Sequence, residues 1–128
     1  METPLVTTYE EACQVTATDP NALPDVTMLP EEDQKSVIAY CKLIVLAKAL
    51  NDGWVPDFTD GNQPKYWPWF WVERDSYGAT AGLSCSATVD AASRTGTDIG
   101  SRLCFKTREL ARYAGETFTS LYRDYLLK

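Results

Sequence analysis

Histidine is absent from all 128 residues. Its absence removes the usual general base of Ser/His/Asp and Cys/His nucleophile systems, and with it every HExxH-type metal site. Neither GxGxxG nor GxxxxGK[ST] occurs, so conventional dinucleotide and P-loop phosphate sites are missing too. The four cysteines, at 13, 41, 85 and 104, make no CxxC pair, which argues against a zinc site or a disulfide framework and for four reduced thiols, mostly buried. No apolar run reaches the roughly 18 residues a membrane helix needs. The opening METPLVTTYEEAC has neither the basic start nor the apolar stretch of a signal peptide, so the expected compartment is the cytoplasm.

The remaining acidic residues look structural. Glu10 and Glu11, and Glu31, Glu32 and Asp33, fall where helices begin, and there they complement the positive end of the helix dipole. DFTDGN at 57–62 departs from the alternating ligand pattern of a calcium loop and reads as a turn. The expectation is a protein that is not an enzyme and carries no cofactor or metal; chemistry by carboxylates or a tyrosine alone is the reading left open beside it.

What is present is an ordinary globular composition, 45% hydrophobic and 23% charged, and a length that suits a single domain over 1–128. The net charge of −6 is unevenly spread. Residues 1–64 hold 11 acids against 3 lysines, whereas residues 65–128 hold 9 Lys/Arg against 7 acids. Whole-chain charge therefore opposes nonspecific nucleic-acid binding, and an anionic partner would have to be met by a local site in the second half.

Periodicity gives an α+β fold in the order α-α-β-β-β-α. A capping box at Thr8 and Glu11 opens a helix over about 9–17. Three prolines, at 20, 24 and 30, then hold the chain out of helical angles. Pro30 suits a first helical position, and a helix over about 30–51 stops at Gly53. Its apolar residues cover most of the circumference and leave Lys35 and Lys42 on a narrow polar stripe, so this helix is central. Strands are expected at 67–74, in the alternating ATAGLSCSATVD at 79–90, and in IGSRLCF at 99–105, as a three-stranded antiparallel meander packed on the helices. Thr107 caps a last helix running to the C-terminus.

Two surfaces stand out. YWPWFWV at 66–72 concentrates aromatic residues, and a strand there puts Trp67, Trp69 and Trp71 on one face while Phe70 and Val72 turn to the core. Pro68 makes this an edge or strand-start segment. The three rings are open to three uses: cover by the chain itself, a protein or self-association surface, or stacking on a base. The second surface joins Arg102 and Lys106 to the hydroxyls of Ser84, Ser86 and Thr88 beside the N-terminus of the last helix, with Arg108 close by, an arrangement suited to a phosphate. A nucleotide would use both, with its base on a tryptophan and its phosphates on Arg74, Arg102, Lys106 or Arg108.

GSRLCFKTRELARYAGETFTSLYRDYL at 100–126, with ALPDVTMLPEEDQKSVIAYCKLIVLAKALNDGWVPDF at 22–58 and the following YWPWF, resembles a group of small proteins encoded by phages and prophages of gut bacteria. The run RLCFK, then ELA, YAG and a terminal helix rich in Phe and Tyr, carries the likeness. No settled activity attaches to that group, so it implies a setting, the cytoplasm of a phage-infected cell, and no site residues. In that setting the expected role is a binding protein that modulates or inhibits a host process, as a homo-oligomer, with a host protein or a small anionic ligand as its partner. The alternative is a structural or assembly protein of the virion.

Overall fold

The computed structural model describes residues 5–74 and 80–128, with 80–93 described by their backbone alone apart from Gly82. Four helices accompany one two-stranded antiparallel ribbon, which packs on the last two of them: α1 (Tyr9–Thr16), α2 (Glu31–Asn51), β1 (Lys65–Arg74), β2 (Thr80–Ser93), α3 (Arg108–Thr117) and α4 (Thr119–Leu126). The order is thus α-α-β-β-α-α, which corrects the expected α+β meander of three strands and its single last helix.

Local chemistry sets the helix ends. Thr8 caps α1 by accepting from the Glu11 amide at 3.1 Å, while the Glu11 carboxylate reaches past Thr8 to the Thr7 hydroxyl at 2.7 Å. Pro30 stands just outside α2 and not at its first position, and Asp52 and Gly53 take left-handed angles that end it. Helix α2 is central, as its apolar circumference requires: α1, α3 and α4 all pack on it, and Leu43, Leu46 and Leu50 are buried with Phe105, Ala111, Ala114 and Tyr122. Its two polar-stripe lysines stay outside this core, Lys35 4.0 Å from Asp124 and Lys42 over the Tyr9 ring.

The last helix divides at Phe118, whose backbone leaves helical angles (φ −112, ψ 32). Beside it the Thr119 hydroxyl donates to the Gly115 and Glu116 carbonyls, a back-bond of the kind that bends helices. Phe118 is thereby driven into the core and α4 is redirected along α2, where the Ser36 hydroxyl donates to the Tyr125 carbonyl at 2.8 Å.

The expected third strand shrinks to one residue. Phe105 and Tyr66 exchange both backbone hydrogen bonds, at 3.0 and 2.6 Å, and form an isolated antiparallel bridge. Along that edge of β1 the next position in register is Pro68, which has no N–H to give, so the ladder stops. The segment before Phe105 turns on itself instead: the Thr97 hydroxyl accepts from the Ile99 and Gly100 amides, and Gly100 takes φ +82. On the far side of Phe105, the Asn51 carboxamide donates to the Cys104 carbonyl at 2.9 Å and accepts from the Lys106 amide at 3.1 Å. Asn51 thus does for 104–106 what a neighbouring strand would do.

The ribbon itself is irregular. Pro68 pairs with Asp90 and Phe70 with Cys85, so β2 bulges opposite Trp69, and the uninterrupted alternation read over 79–90 is broken there. Cys13, Cys41 and Cys104 are free thiols, and burial pushes the Cys104 thiol up. The Cys85 side chain lies outside the described residues.

Asn51 is 5% exposed, so truncating it leaves a buried carbonyl and a buried amide without partners. Asn51→Ala should lower the unfolding free energy in urea by about 2–4 kcal/mol. A loss below about 0.5 kcal/mol would show that water replaces the carboxamide without cost.

Candidate functional site

The aromatic stretch divides at Pro68. Lys65 begins it, wholly buried, its ammonium donating to the carbonyls of Asp57 and Arg94 at 2.5 Å and of Gln63 at 2.9 Å, with the Phe58 ring 4.8 Å away. The turn at 57–62 wraps this ammonium with its carbonyl oxygens, much as an ion-binding loop would wrap a metal. Asp57 and Asp60 instead fold their carboxylates onto the loop's own amides, of Thr59 and Asn62. The bonds from Thr59 hold the Asp57 carboxyl below the usual carboxylate range.

Trp67 is 7% exposed and belongs to the interior, whereas Trp69 is 37% and Trp71 55% exposed. The three rings therefore do not form one continuous open face. Trp69 and Trp71 stack edge to face with centroids 4.6 Å apart. Phe70 turns inward onto Tyr122, centroids 5.0 Å apart, as expected. Val72 does not: it is 51% exposed, and every residue from Trp71 to Arg74 is exposed with it.

Where the third strand was expected, beside Pro68 and Phe70, there is a hollow of about 310 Å³. Ile99 and Asp98 wall it on one side and the end of α4, Leu126 and Leu127, on another. With Leu126 47% exposed, the rim joins Trp69, Trp71 and Val72 in one apolar region at the open edge of β1. Val72 and Leu126 are the members that sequence reasoning missed. Alternation alone assigns Val72 to the core, and nothing in the sequence shows that this end of β1 is exposed.

The expected cations are not gathered here. The Arg108 guanidinium lies 5.3 Å from the centroid of the Tyr66 ring, at the bridged end of β1. Lys106 gives its backbone amide to Asn51, and Arg102 is exposed in the turn before Leu103. Arg102 and Lys106 therefore share no strand face, and the side chains of Ser84, Ser86 and Thr88 lie outside the described residues. At the start of α3, the Thr107 hydroxyl accepts from the Leu110 amide and Glu109 occupies the first turn, so the dipole already has an acid. By strand rise, Trp69 and Trp71 are about 10 and 16 Å along β1 from Tyr66. Of the cations read from sequence, only exposed Arg74, three residues on, is near Trp71 in the chain.

Among the described residues no group of three or more Cys, Asp or Glu side chains could hold a metal ion, and no helix is long and apolar enough to cross a membrane. No family model, curated protein or solved structure matches the chain.

Lys65→Met keeps the buried stem and removes the ammonium, leaving several carbonyls short of a donor. It should cost about 2–4 kcal/mol of unfolding free energy in urea and expose 57–63 to limited proteolysis. An unchanged midpoint with an intact loop would mean that the ammonium does not hold the turn.

Proposed function

We propose that this chain is a non-enzymatic binding protein, encoded by a phage and working in the host-cell cytoplasm, that modulates a host process by holding a protein partner against Trp69 and Trp71. The observation that carries the reading is the pair of exposed, mutually stacked tryptophans at the rim of an apolar hollow, continuous with exposed Val72 and Leu126. Large apolar groups gathered at one place on a small chain mark interaction sites, and tryptophan is among the residues that dominate binding energy when a partner desolvates it. The likeness of 100–126 and 22–58 to phage-encoded proteins supplies the setting.

A protein partner is favoured over a nucleotide by the separation of Trp69 and Trp71 from Lys106 and Arg108. A base on Trp71 would find Arg74 for its phosphates, but Lys106 and Arg108 belong to the other end of the strand. The ring nearest Arg108 is Tyr66, already covered by it.

Trp71→Ala should leave the thermal midpoint of the protein nearly unchanged, since the ring is 55% exposed. In host cells expressing the tagged chain, the same variant should reduce recovery of the bound host protein by about thirtyfold and relieve the effect on the host, the loss expected of an interface anchor. Equal recovery with Trp71→Ala, or accumulation of the chain in purified phage particles without any host partner, would overturn the reading, the latter in favour of a virion component.

A further inference from the structure

β1 gives one edge to β2 and, beyond Pro68, leaves the other open. Tyr66 shows which groups point to that open edge, because both its N–H and its C=O bond to Phe105. Alternation along the strand then sends the N–H and C=O of Phe70, Val72 and Arg74 the same way. Among the described residues nothing outside the ribbon pairs with them. Exposed strand edges are normally blunted by proline, by inward charge or by a covering segment. Here Pro68 blunts one end only, and the open stretch carries Trp69, Trp71 and Val72.

The outward positions 70, 72 and 74 are symmetric about Val72. We infer that a second copy of this chain occupies the open edge, with β1 pairing antiparallel to its counterpart about a two-fold axis at Val72. In this register Val72 exchanges both bonds with the partner's Val72, and Phe70 does so with the partner's Arg74, and reciprocally. Every outward group from Phe70 to Arg74 is then used, and Pro68, which has no N–H, falls just outside the paired stretch. Trp71 faces the partner's Glu73, so no like charges are directly opposed.

Shape agrees with the register. Beside Pro68 and Phe70 each copy has the hollow of about 310 Å³, and from Trp71 to Arg74 each has a length of strand whose residues are all exposed. The two-fold axis brings the exposed length of one copy to the hollow of the other. Val72 at 51% and Leu126 at 47% exposure thereby become mutual cover. An isologous contact of this kind closes on itself and forms no fibre.

The pairing would build a four-stranded sheet in which Trp69 and Trp71 of both copies share one face. The binding surface proposed above is then composite, and only this use of the sheet rests on that proposal; the pairing is read from the edge and the hollow.

Sedimentation equilibrium of the full chain over about a hundredfold range of concentration tests it. The expected mass is twice the 14.3 kDa chain. Val72→Pro removes the central outward N–H without touching the ladder to β2, as Pro68 already does, so it should fold and dimerise at least about tenfold more weakly. Val72→Thr, which keeps the N–H and the shape, should remain dimeric. A wild type that is monomeric throughout, or a folded Val72→Pro that still dimerises fully, overturns the proposal. Should Val72→Pro fail to fold, Val72→Lys sets two ammonium groups across the axis, and an undiminished dimer in that variant overturns it equally. A monomeric wild type that still needs Trp71 to hold its host partner would refute the pairing and leave the binding reading standing. A dimer whose Trp71→Ala variant keeps that partner would do the reverse.

Discussion

Two backbone hydrogen bonds between Tyr66 and Phe105 join the strand ribbon to the helices. Phe105 is 1% exposed among the side chains of α2 and α3, so whatever binds to its backbone is fixed relative to the core. Asn51 grips the same segment from the opposite side through the Cys104 carbonyl and the Lys106 amide. Lys65, one residue before Tyr66, ties the strand to the turn at 57–62 and to the Arg94 carbonyl. Three anchors thus converge on the first residues of β1. Each satisfies buried polar groups that would otherwise lower stability, since an unpaired buried carbonyl or amide costs about as much as a lost hydrogen bond.

Beyond Trp67 the described residues show no further hydrogen-bonded anchor to the core, only the Phe70 ring against Tyr122. Pro68 ends the pairing with the 99–105 segment, that segment turns away, and β1 continues with Trp69, Trp71 and Val72 exposed. The same strand is thereby a buried structural element at one end and an exposed, unpaired one at the other. A chain that needed only stability would gain by covering Trp71, Val72 and Leu126, each about half exposed. Their exposure is intelligible if something outside the chain covers them, and this links the fold to the binding role proposed for it.

Much of this was legible in the residues. The cap at Thr8, the acidic start and the near-continuous apolar surface of α2, the cap at Thr107 and the strand after residue 64 all follow from local patterns that the structure retains. The third strand was not, although its cause was in view: Pro68 was read as the mark of an edge, and an edge is what denies Ile99–Leu103 a partner. Alternation of side chains signals an extended segment but says nothing about whether its neighbour can donate. The division of the last helix turns on Phe118, where the backbone leaves helical angles beside the Thr119 back-bond, and the apolar spacing runs through it unbroken. Lys65 gave no signal, because the carbonyls that hold its ammonium come from a loop and from Arg94, 29 residues on. The site suffered from the same limit. Period-two alternation groups Trp67, Trp69 and Trp71, yet the first is interior and the other two are not.

Residue-resolved amide hydrogen exchange over 97–107 tests the account most directly, since everything above depends on the third strand being a single bridged residue. The Phe105 and Lys106 amides, held by Tyr66 and Asn51, should exchange slowly, while that of Ser101, in the turn after Gly100, should exchange rapidly. Ser101 and Ile99 amides protected as strongly as Phe105 would show a continuous strand along β1. The open edge, and with it the site, would then not exist.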